Sequence, residues 1–203
     1  MGRLDNKLAI VIGANSGMGM ATVEALSDEG AKVIMLCRNE KRGVEAFKKL
    51  MEKKDRQIEL MLCDLGDYSS IRSFASQVKE KYKRIDILVN NAGFISLDRQ
   101  ETKEGLERQF GINHIGHFLL TTEVLDLMGE GSRIVVVASG ARTAIFLATD
   151  ESVKDISGEY FYRCKIAKSS RRSNDAELAK KLYEFSEALV KEKTQNAFNN
   201  FTL

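Results

Sequence analysis

Five short runs of aliphatic residues recur along the chain, and each leads into a longer stretch with helical spacing. The runs are "KLAIVI" (7–12), "AKVIMLC" (31–37), "IELMLCDL" (58–65), "IDILVNNAG" (85–93) and "RIVVV" (133–137). Helical patterns fall between them over 20–29, 40–54, 69–83 and 105–128, with faces such as Val44, Phe47 and Met51, or Ile71, Phe74, Ala75 and Val78. After the last run, Ala144, Leu147 and Ala148 again stand at i, i+3, i+4. Strands that alternate with helices argue for a parallel α/β sheet, because parallel neighbours need a crossover of a dozen residues or more. A continuous apolar run further implies a strand covered on both faces, and Ile134 to Val137 is read as such a fully buried strand.

No repeat, low-complexity tract or linker interrupts this pattern, so residues 1–193 are read as one domain. Within it, 174–192 forms a late amphipathic helix with Leu178, Leu182, Phe185 and Leu189 on one stripe. Asn174 and Glu177 there match a capping box with Asn in the first place. Residues 194–203, "TQNAFNNFTL", are expected to form a frayed tail.

Composition excludes several functions. The chain has 203 residues, 43% hydrophobic and 30% charged, as expected of a soluble globular protein. Its net charge of +2 comes from scattered basic residues, which leaves no footprint for nucleic acid. The apolar runs are too short to span a bilayer. Cys37, Cys63 and Cys164 are odd in number and widely spaced, which fits a reducing cytoplasm and not a disulfide framework. Proline is absent, where average usage near 5% would give roughly ten.

The chemistry begins at "GANSGMG". Gly13, Gly17 and Gly19 sit between the first strand and its helix, with Asn15, Ser16 and Met18 between them. Glycines there let the backbone turn tightly against a pyrophosphate, while the helix start supplies free N–H groups. A dinucleotide site selective for NAD usually carries an acid about 20 residues further on. This chain has Arg38, followed by Asn39, Lys41 and Arg42. A guanidinium suits the 2′-phosphate of NADP through paired, charge-assisted bonds.

"GANSGMG", "CDL" (63–65), "NNAG" (90–93), "INHIGHFLLT" (112–121) and "RIVVVAS" (133–139) occur in that order. Together they resemble the short-chain dehydrogenase/reductase family, in particular its retinol-dehydrogenase-like branch. The C-terminal "GEYFYRCKIAKSSRRSNDAELAKKLYEFSE" resembles the end of that branch. The resemblance implies a doubly wound parallel sheet (the Rossmann fold), an NADP cofactor, and hydride transfer to or from a small-molecule alcohol or carbonyl. It assigns Asp64, beside Leu65, to the adenine, and Asn90, with Ala92 and Gly93, to the strand end beside the cofactor. It assigns Asn113 to a proton-relay water and Ser139 to the substrate oxygen. Ile12 and Ala138 depart from the family's usual threonine and first serine. His114 and His117 lack a carboxylate or cysteine constellation and are read as helix histidines with no metal. Lys165, Lys168, Arg171 and Arg172 are read as a solvated basic surface.

One element of that family is missing. Its chemistry needs a tyrosine four residues before a lysine, the lysine's charge lowering the tyrosine pKa from near 10. Here Tyr68 is followed at four by Arg72, Tyr82 by Asp86, Tyr160 by Cys164, Tyr162 by Ile166 and Tyr183 by Glu187. "RIVVVAS" matches the family's fifth strand, "ARTAIFLATDES" a helix after its sixth, and "GEYFY" its seventh. The Tyr-Lys helix and sixth strand would lie between Ser139 and Thr143. Three accounts remain: a segment left out of the sequence, an internal deletion, or a non-catalytic dinucleotide-binding protein. Intact flanking motifs favour the first. A missing segment predicts a break between 142 and 143 and a strand-wide space between 134–137 and 159–162. A contiguous chain predicts direct pairing of those two strands. Substrate identity and association with a second copy are not legible, since the substrate loop and part of the family's dimer face fall in the missing stretch.

Overall fold

The structure is a computed structural model and describes residues 2–53, 56–138 and 140–199. Five strands, β1 (Leu8–Ile12), β2 (Lys32–Cys37), β3 (Ile58–Leu62), β4 (Ile87–Asn90) and β5 (Arg133–Val136), form one sheet in the order β3-β2-β1-β4-β5. Every neighbouring pair is parallel, with Ile10 beside Ile34 and Leu88 in register. The order reverses between β1 and β4, so helices wind onto both faces and a crevice opens at the strands' carboxyl ends.

One face is covered by α1 (Gly17–Asp28), α2 (Glu40–Lys53) and α6 (Ala141–Thr149). Val23, Leu26, Leu50 and Ala144 pack there against Ala9, Val11, Val33 and Val135. The other face carries α3 (Tyr68–Lys81), a helical run through 108–127, and α7 (Ala176–Asn199). Ile71, Phe74, Ile115, Leu120 and Val190 meet Ile10, Ile34 and Leu88 there. Apolar side chains on both sides of each inner strand thus find a core. The helices are stopped and started locally. Asp67 caps α3 by accepting from the N–H groups of Ser69 and Ser70. At the sheet's opposite end, Asp86 accepts from Leu8 N–H (3.0 Å), Arg84 Nε (2.9 Å) and Lys7 Nζ (3.1 Å). Burial alone would raise the Asp86 pKa, but these donors outweigh it and hold the carboxyl below its ordinary range.

Several expectations are corrected. β5 is buried on one face only: Val135 is enclosed, but Ile134 is 43% and Val136 73% exposed, since among the described residues no strand or helix covers them. Phe161–Tyr162 (β6) does not pair with β5 but with Lys165–Ile166 (β7), antiparallel, in a separate two-stranded sheet. Arg163 and Cys164 between them both take positive φ (51° and 62°), the geometry of a tight hairpin, so the local turn wins over the distant edge. Residues 142 and 143 are adjacent inside α6, and the expected break is not seen. The helical run begins at Arg108, three residues later than 105, because Thr102 to Leu106 forms a turn closed by Thr102 N–H to Leu106 O (2.8 Å). α7 is capped by Asp175, not Asn174, and is helical as far as Asn199, into the stretch read as a tail. Of its expected stripe, Leu189 packs on the core while Leu178, Leu182 and Phe185 are exposed.

Candidate functional site

A cavity of about 630 Å³ lies at the reversal point, over the carboxyl ends of β1, β2 and β4. Its walls come chiefly from the segments Gly13 to Gly19, Arg38 with Arg42, Cys63 to Leu65, and Asn91 to Ser96, closed by Gln100, Arg108 and Ile112. Asn15, Ser16, Gly17 and Met18 of the first segment border it, as do Asp64, Ala92 and Gly93.

The glycine loop is shaped by close backbone approach. Gly13 has φ +71°, and a Cβ there would sit 2.9 Å from Cα of Ala92. A Cβ on Gly19 would run into the carbonyl oxygen of Gly13 and the side-chain amide of Asn91. Asn91 itself ties the loop to β4, its Nδ2 donating to Ile12 O (2.9 Å) and Gly13 O (3.3 Å). Ser16 stands at the N-cap of α1 but makes no side-chain cap bond. The first-turn N–H groups of α1 are therefore available to an anion, at the positive end of a twelve-residue helix.

Arg38 follows the last residue of β2, and Arg42 lies in the first turn of α2, whose N–H bonds to Asn39 Oδ1 at 3.0 Å. Both guanidiniums border the cavity, and neither has a carboxylate partner among the described residues. Asp64 is oriented by Gly66 N–H, 2.9 Å from its Oδ1. The nearby thiols are inert: burial pushes Cys37 up to about 11 and Cys63 up to about 12.

Asn113 sits in a π-helical turn, Gly111–Gly116, between α4 (Arg108–Phe110) and α5 (His117–Val124). Such widened turns often mark functional positions. Its side chain accepts from Phe94 N–H (3.2 Å) and donates to Phe94 O (2.9 Å), clamping the loop after β4. Asn90 does not border the cavity; its Nδ2 donates to Thr121 Oγ1 at 3.0 Å and holds α5 to β4. Ser139 lies outside the described residues. Its neighbour Gly140 has its N–H 3.1 Å from Met18 Sδ, which brings the end of β5 beside the glycine loop.

His114 bonds through Nε2 to Ser186 Oγ (2.9 Å) and stacks on Phe110, while His117 Nδ1 lies 3.1 Å from Ile112 O. Burial lowers both pKa values and favours neutral rings. No group of three or more His, Cys, Asp or Glu among the described residues could hold a metal. Asn91 was not singled out from the sequence, although it is the second Asn of "NNAG". The site thus offers backbone donors, the guanidiniums of Arg38, Arg42 and Arg108 with no carboxylate partner among the described residues, and the Asp64 carboxylate, but no tyrosine borders the cavity. Tyr68, the most buried tyrosine, is pushed up to about 12 by burial and by the nearby Glu104 carboxylate.

Residues 7–147 match the family model of the short chain dehydrogenases. The chain belongs to that family. Its relatives include mouse retinol dehydrogenase 14, 39% identical over 151 residues, which covers 68% of this chain and 45% of that protein. Human polyprenol dehydrogenase is 33% identical over 153 residues, covering 72% of this chain and 46% of its own length. The chain thus spans about half the length of the curated relatives it matches. Among solved structures, a protein from Mycobacterium paratuberculosis overlays with a TM-score of 0.72 at 24% identity, covering 94% and 96% of the two chains. That likeness is one of fold. A blue fluorescent protein from a metagenomic library, solved with NADPH, overlays with a TM-score of 0.58 at 27% identity, covering 68% of this chain and 57% of its own. Short-chain dehydrogenases are oxidoreductases that use NAD or NADP, and the parallel sheet with its crevice is their fold. Among the described residues no helix is long and apolar enough to cross a membrane.

Proposed function

We propose that the cleft binds NADP(H) in preference to NAD(H). The observation that carries this is the pair of guanidiniums, Arg38 and Arg42, without a carboxylate partner among the described residues, where an NAD site would place a carboxylate. The glycine loop and the uncapped start of α1 suit the pyrophosphate, and Asp64 suits the adenine edge. When bound, the nicotinamide would supply the hydride exchanged with an alcohol, aldehyde or ketone. The names of the retinol and polyprenol dehydrogenases point to a lipophilic alcohol as that substrate. Asn113 holds the Phe94 loop at the cavity wall, and Ser139 is assigned to orienting the substrate oxygen. Three cysteines with no disulfide pairing fit a reducing, cytoplasmic setting.

The 203 residues on their own are proposed to bind cofactor without turning it over. No tyrosine has a lysine at four, and a general acid typically contributes 10²–10⁴-fold. Arg38→Asp should reverse the cofactor preference, by removing the phosphate's partner and adding repulsion. Equal affinity of the unmutated chain for NADPH and NADH would sink the NADP reading. Turnover of NADPH with simple aldehydes by a mass-verified chain of this length would refute its inactivity.

A further inference from the structure

Beside the main cleft lies a second recess of about 260 Å³, and Arg38, Asp64, Arg108 and Ile112 are walls of both. A ligand that runs from the cleft into the recess must pass these four side chains. Arg108 comes from α4, one helical turn before Ile112, and is half-buried. Its guanidinium carbon lies 5.2 Å from the centroid of the Phe94 ring, and Nη1 bonds to Gln100 Oε1. Both partners are neutral. They fix the plane of the group and leave its charge without a carboxylate partner among the described residues.

The rest of the recess is not an anion site. Asp64, Asp67 and Glu101 offset Arg38, Lys103 and Arg108, and Lys103 is already paired with Asp67 at 2.8 Å. A mixed lining of this kind, with one carboxylate facing the main cleft and one apolar wall at Ile112, suits a flat neutral heterocycle better than a phosphate. Guanidinium planes stack on aromatic faces, and an ammonium cannot reproduce that contact.

We infer that Arg108 is a binding residue for the adenine base, stacking its guanidinium over the ring at the mouth of this recess while Arg38 and Arg42 attend to the phosphate. The inference rests on the dinucleotide reading of the main cleft. The test is a calorimetric titration of the full chain, unmutated and as Arg108→Lys and Arg108→Ala, with NADPH, ADP and reduced nicotinamide mononucleotide. Both variants should bind ADP and NADPH about 3- to 30-fold more weakly, the range a cation–π contact supports, and bind the mononucleotide as the unmutated chain does. Retention of ADP affinity by Arg108→Lys would overturn the stacking role. Equal weakening toward ADP and the mononucleotide would also overturn it, since Arg108 would then only shape the loop. If the unmutated chain binds neither NADPH nor ADP, the dinucleotide reading itself fails.

Discussion

β4 and β5 are neighbours with nearly the same apolar character, yet they have opposite surroundings. All four residues of β4 are buried, between β1 and β5 and beneath α5. β5 has a partner on one side only, and Ile134 and Val136 face solvent. Arg133 and Val137 donate their N–H groups to Asp86 O (2.8 Å) and Asn90 O (3.0 Å). By the alternation of a strand, the N–H and C=O groups of Ile134 and Val136 point to the open edge. The contrast separates the half of the sheet that carries the glycine loop, enclosed on both sides, from the β5 end, which keeps an open edge. A cavity of about 370 Å³ lies along that edge, walled on its far side by residues 156–161. Burial is a property of the neighbours a strand acquires, and an apolar run records only what it is fit to meet.

The comparison can be broken most sharply at the core. Leu88→Ala in β4 should cost about 2–5 kcal/mol, since its side chain is fully enclosed, while Val136→Ala in β5 should cost under about 1 kcal/mol. Urea unfolding of the two variants measures the difference, and equal losses would mean that β5 is covered in solution. The nucleotide half can be broken without unfolding it. Gly19→Ala pushes a methyl into Gly13 O and Asn91, so it should weaken NADPH binding more than 100-fold, about 2.7 kcal/mol or more. Affinity within tenfold of the unmutated chain would show that the loop relaxes freely.

Asp86 fastens β4 to β1 at the far end of the sheet. Its pKa in the folded chain lies below the ordinary carboxylate range, so its contribution is complete above its unfolded pKa and fades as pH falls through the folded value. Asp86→Asn should therefore lose about 1.5–3 kcal/mol at pH 7, with the gap to the unmutated chain closing below about pH 4. A gap unchanged between pH 7 and pH 3 would show that the charge is not the cause. The smallest effect belongs to Val136→Lys, expected within about 0.5 kcal/mol in stability because the site is on an exposed edge. It should also suppress association through that edge, as charged residues do on natural edge strands, and light scattering would report this.

Most of the nucleotide half is legible in the sequence because its signals are local. The glycine loop, Arg38 and the "NNAG" strand end each sit within a few residues of the strand that positions them. Boundaries shift only where a turn or cap intervenes, as at Thr102 and Asp175. The β5 end depends on contacts between distant segments. Nothing in "RIVVV" says that its second neighbour is absent, and Arg163-Cys164 is not a residue pair that advertises a tight hairpin turn. The π turn at Asn113 and the place of Arg108 over the Phe94 ring have no motif, since each follows from how the 94–100 loop folds back on α4.

Native-state hydrogen exchange with and without NADPH tests the contrast between the halves most directly. The slowest amides should be those of Ile10, Val11, Leu88 and Val89, inside the sheet. Ile134 and Val136 should exchange fast, while Arg133 and Val137, bonded to the β4 side, exchange more slowly. NADPH should add protection at Gly13 to Gly19 and around Asp64 and Ala92, and none at Ile134 or Val136. Slow exchange at Ile134 and Val136, or a glycine loop that gains nothing from NADPH, would contradict the account.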